Sequence, residues 1–485
     1  MAGQRRGTMR QLRLLREHYK REKLLNLVLY AREKRREIPD RCSRFLRRYL
    51  IIMNQNTRAA KELDARIPQS SCVPKRDFSN SFDDAERYNE QRCLDTFRFT
   101  MTEINELVQL LGLETHRDGR PFLFHTMNRC TYTGKEGFLL LLAHLTQAPT
   151  FLSLIGKGFT FGSVPNGTQL VNQVIRWLYM EWAGPLLSLP LRMWHDEKGP
   201  SGEPRAFYFR NCLSKRIQFQ RRQNQGEELS EYDEEQLEDF FQSVRHTSFY
   251  LDGTTVDICR PGVNQRAQYN GYKKSHQISY QGLVAPDGLA VRLGGAFEGT
   301  LNDSAAYLRE NLELDMHELH KEFRHSLHNP DAADDESDED DEDEDAVGLF
   351  TIYADAAYSR TKYLKRSFKK RDGRISKSKQ RFNEVMSSCR IHVENFFGQV
   401  KQNFKIMDDK PSFKLLQSIR RAGDEKYAFD MRVFCCVFLT NLRTCLNESS
   451  ISAENDCVPP SVEKYLAMKE SFLRYMEQRQ AEDEE

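Results

Sequence analysis

The chain has 485 residues, 39% hydrophobic and 29% charged, with a formal net charge of +1 at pH 7. That length fits roughly three domains, and the apolar fraction excludes a wholly disordered chain. No run approaches the ~18 uninterrupted apolar residues of a membrane span. The N-terminus lacks the apolar core of a signal peptide. Eleven scattered cysteines without a CxxC pair point to reduced thiols, not to a disulfide framework or a zinc site.

The near-zero charge hides segregation. Residues 1–50 hold 16 Lys/Arg against 5 Asp/Glu, residues 331–345 hold 12 acids and no base, and residues 360–381 hold 11 bases and one acid. Basic blocks of this kind are the footprint of a nucleic-acid binder. They also fit exposed tails or nuclear-import signals.

Along the chain, 1–53 is expected to be a basic helical segment and 54–96 a linker, the latter polar and irregular. A helical region follows over 97–204. Thr133-Gly134-Lys135-Glu136 fits a capping box opening Phe138–Leu145. A short helix at Thr150–Gly156, a Gly-rich turn and a helix over Asn166–Met180 outline a helix-turn-helix. As a DNA reader it turns Asn166, Thr168, Gln169, Asn172 and Gln173 to the groove, although Arg176 is its only cation. A purely structural helical bundle fits the same pattern. The span 205–246 is charged and is expected to be a helical or loose connector.

Strand patterns then appear, opening a domain expected over 247–446. Ser248–Asp252 is short and apolar and ends on a carboxylate. His276–Val284 and Leu289–Leu293 flank Ala285-Pro286-Asp287-Gly288, a hairpin signal. Thr300–Leu314 is expected to be helical. Leu349–Tyr353 is a second buried strand, followed by Asp355, and Phe382–Met407 is a long helix with one apolar stripe. Interleaved strands and helices predict a mixed α/β fold, a sheet covered by helices. The acidic run 331–345 is expected to be a disordered insertion, and 447–485 a C-terminal tail.

Three acids stand out by position. Asp252 and Asp355 follow strands, where ligand-facing residues of open sheets lie. Glu394 lies on the flank of its helix's apolar stripe, with Arg390, Phe397 and Lys401 on the same side. Converging carboxylates repel unless a cation joins them, and hard oxygen donors select magnesium or manganese. Capping of helices and turns is the alternative use of such acids. Asp257, five residues past Asp252, belongs to the opposite strand face.

The order and spacing of several segments resemble the DDE endonuclease domain of PIF/Harbinger-type transposases and their domesticated relatives, over about 245–446. These are Tyr250-Leu251-Asp252-Gly253-Thr254-Thr255-Val256, Tyr269 to His276, Pro286-Asp287-Gly288-Leu289 and Glu298 to Ser304, then Tyr353 to Tyr358 and Val393 to Phe404. A weaker resemblance covers 97–182. The resemblance implies an RNase H-like fold with an upstream all-α helix-turn-helix region, and a triad of Asp252, Asp355 and Glu394 binding Mg2+ or Mn2+, two ions in all. It further implies cutting of double-stranded DNA at element ends, joining of 3′-hydroxyls to an A/T-rich target, a Myb-like partner protein and a nuclear location. Asp303 matches a supporting acid. The chain departs from the family where Thr255 and Asn302 replace histidines, and where Ala354 and Ala357 replace glycines.

The expected function is therefore a metal-dependent DNA endonuclease and strand-transferase, acting as a homo-oligomer away from membranes. Arg390, Lys401, Lys365, Arg366, Lys369, Lys370 and Arg371 are the expected phosphate contacts. The alternative is a domesticated DNA- or chromatin-binding protein without cleavage. Paired acids also permit glycosidase chemistry, but the basic blocks suit a polyanion. Cys435, Cys436, His144, Trp177 and Trp182 are expected to be core residues, with His144 satisfied by hydrogen bonds.

Overall fold

A computed structural model describes residues 78, 82, 89–116, 119–126, 130–155, 157–224, 228–261, 265–327, 350–369, 374–408 and 427–482. The basic segment 1–53, most of the 54–96 linker, the acidic run 331–345, Lys370 and Arg371 lie outside the described residues. Residues 69–485 cluster as one compact unit.

The first part of this unit is helical: α1 (Glu90–Phe97), α2 (Met101–Leu110), a ribbon of β1 (Leu123–His125) and β2 (Thr131–Thr133), α3 (Gly134–Gln147), α4 (Phe151–Ile155) and α5 (Val164–Leu178). The expected capping box closes. Thr133 Oγ1 accepts from the Glu136 N–H at 3.2 Å, and Glu136 Oε2 accepts from the Thr133 N–H at 2.7 Å. Helix α3 is apolar all round, so it is buried all round, with Phe138 to Leu142 fully enclosed. Leu170, Val174 and Leu178 of α5 are buried where that helix packs on α3. His144 is buried as expected but is not satisfied. Its ring stacks on Phe151 with centroids 5.0 Å apart, and neither ring nitrogen finds a hydrogen-bond partner among the described residues. Burial lowers its pKa to about 3.

Of the two forms expected for 205–246, helical or loose, the span takes the helical one. It forms α6 (Arg205–Gln223) and α7 (Glu231–Gln242). Phe209, Cys212, Leu213 and Ile217 of α6 recur at helical spacing among Arg, Lys and Gln and are buried. Phe209 stands 6.0 Å from Phe249 of the sheet, so α6 covers it.

That sheet makes the protein mixed α/β. Its strands are β3 (Thr247–Asp257), β4 (Tyr269–Asn270), β5 (Ser275–Val284), β6 (Ala290–Glu298), β7 (Thr351–Ala354) and β8 (Leu364–Arg366). The order is β4-β5-β3-β7-β8, with β6 also paired to β5. The β5–β6 hairpin turns at Ala285–Gly288 as its residues predict, the Gly288 N–H donating to the Ala285 carbonyl at 3.1 Å. Strand β3 outruns the expected Ser248–Asp252. Beyond Asp252 it continues antiparallel to β5, as far as the Asp257–Gln277 pair. Its parallel pairing with β7 stops at Leu251–Ala354.

The helix expected at 300–314 breaks at Asn311, whose φ is 54°, into α8 (Asp303–Glu310) and α9 (Leu312–Leu327). Helix α10 (Lys377–Asn403) buries the predicted stripe. Helix α11 (Tyr427–Asn447) carries Cys435 and Cys436 as core thiols. The expected tail instead holds α12 (Ser450–Glu454) and α13 (Val462–Glu482). Tyr465, Leu466, Met468 and Phe472 give α13 an apolar face, and Asn441 Nδ2 donates to the fully enclosed Tyr465 hydroxyl at 2.9 Å. Among the described residues no helix is long and apolar enough to cross a membrane.

Candidate active site

Helix α10 crosses the sheet at one close approach, and that approach assembles the site. In the β3–β5 register Asp252 lies opposite Gly282. A Cβ on Gly282 would stand 2.4 Å from the Phe397 ring, so only glycine lets α10 sit this close. Glu394 and Arg390 lie one and two turns before Phe397, which brings both over Asp252. Arg390 Nη1 is 3.4 Å from Asp252 Oδ2, and Arg390 Nη2 also pairs with Glu394.

Asp355 arrives from the neighbouring strand. Since Leu251 pairs with Ala354, the next residue of each chain is the carboxylate, and Asp252 and Asp355 sit side by side where the parallel ladder ends. Backbone N–H groups fix both: Gly253 donates to Asp252 Oδ1 at 2.9 Å, and Ala357 to Asp355 Oδ1 at 2.6 Å. Asp303, at the start of α8, stands over β3, its Oδ1 only 2.8 Å from where a Cβ on Gly253 would lie. Asn302 caps that helix, its side chain accepting from the Ala305 N–H at 2.8 Å. Ser304 ties the helix start to the Asp355 loop, donating to the Ala357 carbonyl at 3.1 Å and accepting from the Ser359 N–H at 3.0 Å.

Two further residues of this cluster were not singled out by sequence reasoning. Gln281 Nε2 donates to the buried Tyr358 hydroxyl at 2.9 Å and to the Asp303 carbonyl at 3.2 Å. Burial, then the charges of Asp303, Asp252 and Asp355, push the Tyr358 hydroxyl well above its ordinary pKa, so it stays neutral among the acids. The signal available was Tyr358's place at the end of the Tyr353–Tyr358 segment; nothing marked Gln281.

The electrostatics record crowding. Burial raises the Asp252 pKa to about 6; Arg390 and the Gly253 N–H oppose the rise, and Glu394 and Asp355 add to it. Asp303 is also raised, first by burial and then by Asp355, with Lys273 opposing. Among the described residues no three His, Cys, Asp or Glu side chains form a ready metal shell, because Arg390 stands between Asp252 and Glu394. The donor set is nevertheless all carboxylate oxygen, which suits a hard divalent cation. Burial is the main cause of the raised Asp252 pKa, and a bound cation would stabilise that buried carboxylate.

The other predicted residues are spread more widely. Lys401 lies 3.9 Å from Asp408, while Lys369 is exposed. Lys365 is half-buried on β8, and Arg366 Nη1 donates to the Ala356 carbonyl at 3.1 Å, beside Asp355. In α5, Asn166 is buried with its amide on Cys130 Sγ at 3.3 Å, and Gln173 donates to the His125 carbonyl at 2.7 Å. Gln169 and Asn172 are half-buried. Asp257 accepts from Ser275 and Gln277, away from the cluster's bonds.

Residues 251–441 match the family model described as DDE superfamily endonuclease, a stretch that contains Asp252, Asp303, Asp355 and Glu394. No curated protein and no solved structure matches the chain.

Proposed function

We propose that the chain is a metal-dependent DNA endonuclease and strand-transferase of PIF/Harbinger type. It cuts double-stranded DNA at element ends and joins the 3′-hydroxyls to an A/T-rich target. The observation that carries this reading is the placing of Asp252 and Asp355 side by side at the end of the parallel ladder, with Glu394 joined to Asp252 through Arg390 and Asp355 acting on Asp303, inside the segment that matches a DDE endonuclease. The subtype rests on the ordered motifs from Tyr250 to Phe404. An RNase H-like reading of the domain is supported by the strand path: the antiparallel β3–β5–β6 set, then β7 and β8 parallel beyond β3.

Asp252, Asp355 and Glu394 are the residues to hold two Mg2+ or Mn2+ ions, with Asp303 in support. Such ions activate an attacking water or 3′-hydroxyl and stabilise the departing oxyanion. Gly253 and Ala357 N–H groups keep the two aspartates aimed while the strand ladder fixes their spacing. Arg390, freed from a carboxylate, is placed to hold a phosphate oxygen, and Lys401 and Lys369 extend that contact along the backbone. Base choice falls to the helical region or to a Myb-like partner. Assembly is as a homo-oligomer in the nucleus.

One observation favours the domesticated, non-cutting alternative: Arg390 pairs with both Asp252 and Glu394, occupying the place between them. Nicking of supercoiled plasmid at low salt, in magnesium and in manganese, separates the two. Cutting by wild type that is lost at least about a hundredfold in Asp252→Asn, Asp355→Asn and Glu394→Gln supports the nuclease. Cutting that survives Asp355→Asn refutes this site. Salt-sensitive DNA binding with no cutting in either metal, with or without a Myb-like partner, supports the alternative.

A further inference from the structure

The most exposed large aromatic side chain of the described residues stands beside the acid cluster. Tyr272 is 94% exposed at the tip of the turn that joins β4 to β5, and Tyr269 at its foot is 42% exposed. Burial of aromatic surface ordinarily drives such side chains inward, so an aromatic held in water at a turn tip calls for a reason. This one is held there by design of the turn. Asn270 Oδ1 accepts from the N–H groups of both Tyr272 and Lys273 at 3.0 Å, and its Nδ2 donates to the Gly299 carbonyl at 3.2 Å. Lys274 takes a left-handed φ of 54° to re-enter β5. The Tyr269 ring packs edge-on against His276 at 5.3 Å.

The turn is also anchored towards Asp303. Lys273 Nζ donates to Thr255 Oγ1 at 2.8 Å, and its charge lowers the Asp303 pKa against the rise from burial. Thr255 shares the face of β3 on which a Cβ at Gly253 would meet Asp303, the face opposite Asp252. An exposed aromatic face followed by two exposed lysines matches a nucleobase and its adjoining phosphate, because every base offers a π-face and the chain beside it is anionic.

We propose that the Asn270–Lys274 turn is a nucleobase clamp. Tyr272 stacks on an unpaired base flanking the cut, while Lys273 and Lys274 hold adjoining phosphates. This deepens the nuclease reading and rests on it.

The test uses the full chain and two probes without magnesium or manganese: a blunt duplex, and the same duplex with a single-stranded flank in which 2-aminopurine is placed at each position in turn. Affinity is read from a remote fluorophore and stacking from 2-aminopurine quenching. Wild type and Tyr272→Phe should quench the probe. Tyr272→Ala, folded because the side chain is exposed, should lose the quench and bind the flanked probe roughly tenfold more weakly, with blunt-duplex affinity unchanged. Equal quenching and affinity in Tyr272→Ala overturns the clamp and leaves the nuclease reading intact. So does an equal loss on both probes without a change in quenching, the result expected of a protein-docking tyrosine. Failure of wild type to bind either probe overturns the nuclease reading, and the clamp with it.

Discussion

Two aspartates of the same sheet carry the same perturbation for different reasons. Burial lifts both Asp252 and Asp287 to a pKa of about 6, and each faces an arginine at 3.4 Å. Asp287, in the β5–β6 turn, is wholly enclosed. Its Oδ1 accepts from the Leu289 N–H at 3.1 Å, and Arg205 serves it while also donating to the Val458 carbonyl at 2.8 Å. That pair links α6, the hairpin and the segment before α13. Asp252 keeps 20% of its side chain in solvent and has Glu394 and Asp355 among the charges acting on it. A shifted pKa marks a site of chemistry only when a cleft and like charges accompany it; enclosed beside one counter-ion, it marks a structural tie.

Removing the two partners tests that distinction most strongly. Arg205→Met leaves the Asp287 carboxyl buried without its ion and frees the Val458 carbonyl, so it should cost about 3–5 kcal/mol of unfolding free energy. Denaturant midpoints measure it. A loss below about 1 kcal/mol makes Arg205 dispensable and erases the contrast.

The second effect has the opposite sign. Asp252→Asn should stabilise the metal-free protein by about 1–3 kcal/mol at pH 7, a range that follows from a shift of about two pKa units. The amide still accepts from the Gly253 N–H, and the repulsion with Glu394 and Asp355 disappears. The folded-state pKa of about 6 lies above the unfolded value of 3.8, so between them the native state binds more protons than the unfolded one. Asp252 therefore lowers stability progressively as pH rises through that window. The advantage of Asp252→Asn should be near zero below pH 4 and complete above pH 6. An advantage that is flat with pH places the charge conflict elsewhere.

How far the sequence discloses these contrasts depends on the range of the interactions. The places of Asp252, Asp355 and Glu394 are legible because each follows a local rule, a carboxylate at a strand's end or on a helix flank, whereas their grouping as one set comes from the resemblance of the ordered motifs. The hairpin turn is legible for the same reason. The pairing of Arg390 with both Asp252 and Glu394 is only half legible, since the i to i+4 spacing is local but the contact with Asp252 needs the Gly282–Phe397 approach between distant segments. The helices in 447–485 stay hidden, and those in 205–246 only half emerge, because their charged faces dominate the composition, while few apolar residues carry the packing. Asn166 and Gln173 resemble groove readers on a helical wheel, and only the fold shows their amides committed to Cys130 and His125.

Manganese supplies the smallest effect and the sharpest division. An ion that binds only the native state at ten times its dissociation constant adds about 1.4 kcal/mol. That is a rise in melting temperature of roughly 2 °C in a chain of this size. The wild type should show this rise without any DNA present, so the readout does not depend on cleavage. Asp252→Asn and Asp355→Asn should both lose it, each having surrendered a carboxylate from the shared end of β3 and β7. Arg205→Met, although far less stable, should keep it, because its lesion lies at the enclosed aspartate. A shift retained in Asp355→Asn moves the ion away from the acid cluster. A shift lost in Arg205→Met shows instead that the two arginine–aspartate pairs belong to one cooperative unit, and that the enclosed pair supports the site it was contrasted with.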